Sequence, residues 1–179
     1  MTAFRRAATR VGCAVAAVTG GVLLVILHRP LFLVAGVLLV YVAIVVAVDD
    51  WRSRRDRRTF EAHHGASGRR LILVTSRSPN WESYIAEHWL PKYGDIAVVL
   101  DWSERSGWPR GSAAPPEVAL FRRHGGRHDF NPLAIGVPRR GRVRVVRFHQ
   151  AFRDFKHGHD DALRAAEREL ESLAGWLRA

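Results

Sequence analysis

Apolar residues fill most of the chain between Val11 and Val48, where the only charged side chain is that of Arg29. As one helix, these 38 residues would extend about 57 Å, nearly twice the ~30 Å hydrocarbon core of a bilayer. The segment therefore predicts insertion into a membrane, and its length favours two spans over one.

Pro30 divides this segment into two apolar runs of similar length, 11–27 and 31–48. Proline lacks an N–H group and opposes helix continuation from the residue before it, so we expect a tight turn at His28-Arg29-Pro30. The predicted element is a two-helix transmembrane hairpin. A cleaved signal peptide is the main alternative, but no small-x-small cleavage site follows the first run.

Arginine residues cluster beside the two ends of this hairpin. Only Arg29 lies in the turn, whereas three arginines precede the first run and five follow the second: Arg5, Arg6, Arg10, Arg52, Arg54, Arg55, Arg57 and Arg58. By the positive-inside rule, both termini then lie in the cytoplasm. We expect a multi-pass protein of a bacterial inner (plasma) membrane.

Small residues four positions apart, such as Ala16 and Gly20 or Ala43 and Ala47, allow two helix backbones to approach closely. Packing of the two spans on each other explains them most simply. A homo-oligomer formed through the hairpin is the alternative.

The pattern of apolar positions changes at Arg69. Two short apolar runs, 71–76 and 95–102, are typical of strands buried on both faces. Between them, Ser78-Pro79 predicts the start of a helix that ends near Gly94. This β-α-β unit predicts two parallel strands joined by a right-handed crossover.

Three further strands are expected at 117–123, 132–137 and 142–148, the last two joined by a turn at 138–141. A helical turn follows Phe148, and Asp160 or Asp161 begins a final amphipathic helix. The order β-α-β-β-β-β-α predicts a small α/β domain with a mixed sheet. It resembles the thioredoxin-like arrangement without one helix, although no CxxC pair is present.

These patterns predict four regions along the chain. They are a basic cytoplasmic N-terminus (1–10), a transmembrane hairpin (11–48), a polybasic juxtamembrane linker (49–68) and a cytoplasmic α/β domain (69–179). Because anionic headgroups attract basic residues beside a membrane by about 1 kcal/mol each, the five arginines of the linker predict contact with an anionic surface.

Composition narrows the chemistry of the chain. The formal charge of +11 comes from 26 Arg and 2 Lys, and Cys13 is the single cysteine, which excludes an intramolecular disulfide, a cysteine zinc site and dithiol redox chemistry. Nucleotide-binding glycine motifs and the GxSxG motif are absent from the sequence. No cofactor is predicted.

The candidate ligand site lies where the two predicted parallel strands end. Ser76, Arg77 and Ser78 follow the first strand and lead into a helix, a setting that suits a phosphate or carboxylate. Asp101 ends the second strand, where its carboxylate could accept from a sugar hydroxyl or hold a metal. The alternative is that these residues only cap and connect the elements.

Arg142 and Arg144 alternate with valines and make one face of the last predicted strand basic. Nucleic acid is disfavoured as a partner because the nearby phenylalanines follow no RNA-binding pattern. Anionic headgroups are the nearer partner, and a merely solvated face in an arginine-rich protein is the alternative.

Histidines occur in pairs at His63-His64, at His124 and His128, and at His157 and His159. His63 and His64 lie in a Gly/Ser linker without motif spacing, and His124 and His128 lie in a predicted loop, where their helical spacing does not apply. A site shared with His157 and His159 would need these segments to converge, so no metal site is predicted.

Two classes of function remain. The leading hypothesis is a membrane-tethered interaction or regulatory domain that contacts anionic lipid or a protein partner. The alternative is a membrane-bound enzyme or nucleotide-binding domain that acts on a phosphorylated small ligand at Ser76, Arg77, Ser78 and Asp101. The sequence leaves open whether the protein is an enzyme.

Overall fold

The computed structural model describes the backbone of residues 2–126 and 131–179, and the side chains of residues 33–126 and 131–179. The chain divides into two compact units, Met1–Trp51 and Arg52–Ala179. Its first element is a single long α-helix, α1, over Thr2–His64.

The apolar part of α1 has the character of a membrane-spanning helix. The stretch Leu33–Ser67 contains a window of mean hydropathy 2.3, none of which is buried, and it is the one candidate span in the part of the chain whose side chains are described. Leu33, for example, is 71% exposed. Exposing apolar side chains to water is unfavourable in free energy, whereas placing them in lipid is favourable.

The structure shows a helix where a turn was predicted. The backbone is helical through His28-Arg29-Pro30, and a second transmembrane helix is not shown. A proline within a helix removes one backbone hydrogen bond and adds a local clash, but membrane-spanning helices tolerate it where other groups satisfy the freed carbonyl.

The second unit is built on a mixed four-stranded sheet. Its strands are β1 (Leu71–Thr75), β2 (Ala97–Asp101), β3 (Leu133–Gly136) and β4 (Arg144–Arg147), in the order β2-β1-β3-β4. β1 and β2 are parallel, whereas β3 is antiparallel to both β1 and β4. The predicted parallel pair and the predicted hairpin are therefore confirmed.

Helices cover both faces of this sheet. After α1 they are α2 (Glu82–Tyr84), a π-helical turn (Ile85–Trp89), α3 (Leu90–Tyr93), α4 (Pro116–His124), α5 (His149–Lys156) and α6 (Asp161–Arg178), with short 3-10 helices at Gly65–Ser67, Trp102–Gly107 and Gly111–Ala113. Leu71 and Leu73 face a core shared with α5 and α6. Ile72 and Val74 face a second core. Alternate side chains of β1 thus enter opposite layers, as expected for a strand buried on both faces.

The end of α1 belongs to the second unit. Phe60 is 1% exposed and packs in the second core with Ile72 and Phe121. Its neighbours on α1 make polar contacts with the domain, from Asp56 to Arg123 at 2.7 Å and from His64 to Glu117 at 3.1 Å. The segment expected to be a linker is therefore helical as far as His64, because Phe60 gives it an apolar face to bury.

The strand predicted at 117–123 is wrong, because these residues lie in α4. Val118 and Leu120 alternate with polar residues and so imitate a strand. Stronger signals favour a helix: Pro116 stands in the first turn with Glu117, and basic residues occupy the last turn.

The predicted start of the first domain helix also needs correction. Pro79 to Trp81 form a turn, and α2 begins only at Glu82, without a side-chain cap. The backbone carbonyl of Ser78 accepts from Glu82 N at 3.0 Å, so Ser78 precedes the helix but does not cap it through its hydroxyl. The final amphipathic helix is confirmed as α6, whose Leu163, Leu170, Leu173 and Leu177 are buried.

Candidate functional site

The two strand ends of the candidate ligand site lie side by side. Thr75 of β1 is in register with Asp101 of β2, so the residues that follow Thr75 leave the sheet next to Asp101. The parallel pairing predicted from the sequence is what brings Arg77 and Asp101 together.

Two carboxylates surround the guanidinium group of Arg77. Its Nε lies 3.0 Å from Asp101 Oδ2, and its Nη2 contacts Glu104 Oε1. These charges raise the pKa of Arg77, with the attraction of Asp101 as the largest cause. The backbone N–H of Arg77 donates to Ser103 Oγ at 3.0 Å, and Ser103 N donates to Asp101 Oδ1 at 2.8 Å.

The balance of charge in this cluster opposes an anion. One arginine and two acids, Asp101 and Glu104, sum to −1, and both carboxylates already contact Arg77. A phosphate at this position would have to displace them and would meet two like charges. Ser78 adds little, since its Oγ accepts two long contacts of 3.4 Å, from the backbone N and the side-chain Nδ2 of Asn80.

Ser76 enters a different set of contacts, which sequence reasoning missed. Its hydroxyl donates to Asn131 Oδ1 at 2.7 Å and accepts from Trp81 Nε1 at 3.2 Å. Asn131 is 6% exposed and precedes Pro132 through a cis peptide bond. The contact requires β3 to lie beside β1, and the order of strands could not be read from the sequence.

The arginines predicted to contact an anionic surface come from two segments, which the fold brings together. The basic surface consists of Arg52, Arg54, Arg55, Arg57, Arg58, Arg142 and Arg144. The guanidinium of Arg57 donates to the carbonyl oxygen of Gly141, in the turn just before Arg142. The last turns of α1 thus meet the β3–β4 turn, 84 positions later in the chain.

Most of the basic surface is open to solvent. Its members are exposed except for Arg57, which is half-buried against the β3–β4 turn. Arg144 lies with its guanidinium carbon 4.4 Å from the ring centre of Trp176, a cation–π contact that holds the side chain without neutralising it. The surface therefore presents several guanidinium groups to solvent and carries a positive field.

A metal centre has no support in the described part of the chain. No three side chains of His, Cys, Asp or Glu converge there in a way that could hold an ion. His64 instead bonds to Glu117, and His128, half of one predicted pair, lies outside the described residues.

Comparison with known proteins gives no family. No family model, curated protein or solved structure matches the chain. Its function is therefore inferred from its own residues and their placement.

Proposed function

We propose that this protein holds an α/β interaction or regulatory domain at the cytoplasmic face of a bacterial plasma membrane, where the basic surface contacts anionic lipid headgroups. The observation that carries the proposal is the bond from Arg57 to the Gly141 carbonyl. It joins the arginines that follow the apolar helix to those of the β3–β4 turn, so that two sequence segments make one surface.

The location of these arginines along the chain favours lipid over a soluble anion. Arg52 lies four positions beyond Val48, after Asp49, Asp50 and Trp51, so the first members of the basic surface are within a few residues of the bilayer once the helix is inserted. Each basic residue near an anionic leaflet contributes about 1 kcal/mol, and the attraction falls off within a Debye length of about 8–10 Å. A protein partner with an acidic surface would be attracted by the same positive charges.

Arginine placement supports the cytoplasmic side for the domain, because five arginines lie in the seven-residue stretch 52–58 just beyond the apolar segment. Although the backbone is helical at Pro30, we propose that the chain divides there into two spans within the bilayer, since an apolar segment of 38 residues is too long for one. A cysteine at position 9 (Thr9→Cys in a Cys13→Ser background) tests this division. Two spans leave it unlabelled by an impermeant thiol reagent in intact spheroplasts, whereas one span exposes it.

Hydrogen exchange in nanodiscs tests the contact with headgroups. The full chain is compared in phosphatidylcholine discs and in discs that contain phosphatidylglycerol. We expect slower exchange at residues 52–58 and 138–144 in the anionic discs, lost at high salt, with α4 unchanged. Equal exchange at these segments in both kinds of disc would contradict the proposal.

A pair of matched double variants separates the basic surface from charge in general. Arg142→Gln with Arg144→Gln should abolish most of the lipid-dependent protection. Arg164→Gln with Arg168→Gln removes the same charge from exposed positions in the first half of α6 and should leave the protection intact. The same loss in both variants would mean that only net charge matters.

One observation supports the alternative that the protein is an enzyme or a nucleotide-binding protein. The strand register places Asp101 beside the end of β1. Thermal unfolding of the full chain with sugar phosphates and nucleotides tests it. Stabilisation that Asp101→Asn abolishes would support a ligand site there.

A further inference from the structure

A groove of about 610 Å³ opens at the opposite end of the sheet from the candidate ligand site, where β1 begins. Four arginines and no acidic side chain line it, in the described part of the chain. Its main lining residues are Gly68, Arg70, Arg139, Arg140, Trp176 and Arg178.

Arg70 is the most buried cation of this groove, with a side chain only 10% exposed. Its backbone is fixed by two sheet bonds, from Arg70 N to Ile96 O and from Val137 N to Arg70 O, each 2.8 Å long. Among the residues with described side chains, its single side-chain partner is Glu61, at the long distance of 3.5 Å. A guanidinium has five N–H donors, and the contact with Glu61 uses one of them.

Arg139 and Arg140 stand at the rim, in the turn between β3 and β4, and both are exposed. Arg178 already has protein partners, because it donates to Asp95 Oδ1 and to Lys92 O at 3.0 Å. The end of α6 brings partial negative charge of about half a unit, which opposes an anion. The charges of Arg139 and Arg140 outweigh it, and Arg70 adds a charge that Glu61 offsets in part.

We propose that this groove binds the phosphate group of a phosphomonoester, with Arg70 at its floor and Arg139 and Arg140 at its rim. Guanidinium forks bind phosphate oxygens in pairs, and a dianion gains more from three arginines than a singly charged diester does. The phosphate comes from a lipid headgroup or a soluble metabolite. The lipid is favoured because Gly141, one residue beyond Arg140, contacts Arg57 of the basic surface.

Only the choice of lipid rests on the proposed function. The test therefore uses neutral detergent micelles, in which no anionic surface is present. The full chain is titrated by calorimetry with dioctanoyl phosphatidic acid, with dioctanoyl phosphatidylcholine and with glycerol 3-phosphate. We expect saturable one-to-one binding of phosphatidic acid and none of phosphatidylcholine. Binding of glycerol 3-phosphate with equal affinity would assign the groove to a soluble ligand instead.

Variants connect the binding to the groove. Arg139→Gln with Arg140→Gln changes two exposed residues and should weaken binding at least tenfold, whereas Arg164→Gln with Arg168→Gln should change it less than twofold. Arg70→Lys keeps the buried charge but loses the fork, so it should also weaken binding while the chain remains folded. Wild-type affinity in the Arg139 and Arg140 double variant, or no binding of either phosphate probe, would overturn the proposal.

The experiments can contradict the lipid contact of the basic surface and the phosphate site of the groove independently of each other. Protection in anionic nanodiscs without binding in micelles would remove the groove and leave the basic surface. Binding in micelles without protection in nanodiscs would do the reverse.

Discussion

Gly136 of β3 lies against Leu173 of α6 so closely that a side chain has no room between them. A Cβ on Gly136 would stand 2.6 Å from Leu173 Cδ1 and 3.0 Å from its Cγ. The contact closes the layer between the sheet and the last helix, and it explains why glycine ends β3 although glycine weakens a strand.

Gly136→Ala should therefore destabilise the protein by about 1–3 kcal/mol, because Leu173 must move out of a packed core. Gly175→Ala is the matched control: its added Cβ meets nothing within 4 Å, and alanine favours helix, so stability should rise by about 0.5 kcal/mol. Thermal unfolding of the two variants in micelles measures both effects. Equal midpoints would contradict the packing described here.

A substitution at Phe60 tests whether the end of α1 is part of the domain. Phe60→Ala should cost about 3–5 kcal/mol, since it empties a site in the second core. Phe155→Ala removes the same atoms from a side chain that is 41% exposed and should cost less than about 1 kcal/mol. If the two variants unfold at the same temperature, residues 52–64 are only a linker.

Local patterns predicted most of the elements. The apolar segment, the buried strands β1 and β2, the β3–β4 hairpin and the stripe of α6 each follow from residues close together in the chain. The strand expected at 117–123 failed because Val118 and Leu120 alternate as in a strand, while Pro116 and the charges at both ends favour a helix.

The parts that depend on distant contacts could not be predicted. Ser76 meets Asn131 only because β3 lies beside β1, and Arg70 lines a groove only because the β3–β4 turn comes near the start of β1. The anion site at Arg77 stays a prediction, and local spacing did not indicate that the loop after Asp101 brings Glu104 into contact with Arg77. Burial and charge pairing of this kind follow from the fold and not from local spacing.

Tyr84 makes stability depend on pH in the alkaline range. Burial, and then the hydrogen bond from its hydroxyl to Glu167 at 2.8 Å, raise the pKa of Tyr84 to about 12. Because the folded state holds this proton more tightly than the unfolded state, the stabilisation is complete below pH 10 and is lost as the pH rises towards 12. The loss is about 1 kcal/mol, after allowance for the partial exposure of the ring.

Unfolding of the wild type and of Tyr84→Phe between pH 8 and 12 measures this term. The wild type should be the more stable protein at pH 8, and the difference should shrink as the pH approaches 12. A difference that stays constant would show that Tyr84 does not titrate with folding.

The central claim is that an apolar helix holds this domain at the cytoplasmic face of a membrane, and thiol labelling tests it most directly. A cysteine at exposed position 112 (Ser112→Cys with Cys13→Ser) is treated with an impermeant maleimide in bacterial spheroplasts, before and after lysis, and the membranes are then extracted with carbonate. We predict that the chain stays in the membrane pellet and is labelled only after lysis. Labelling of intact spheroplasts, or a chain released into the supernatant, would contradict the account.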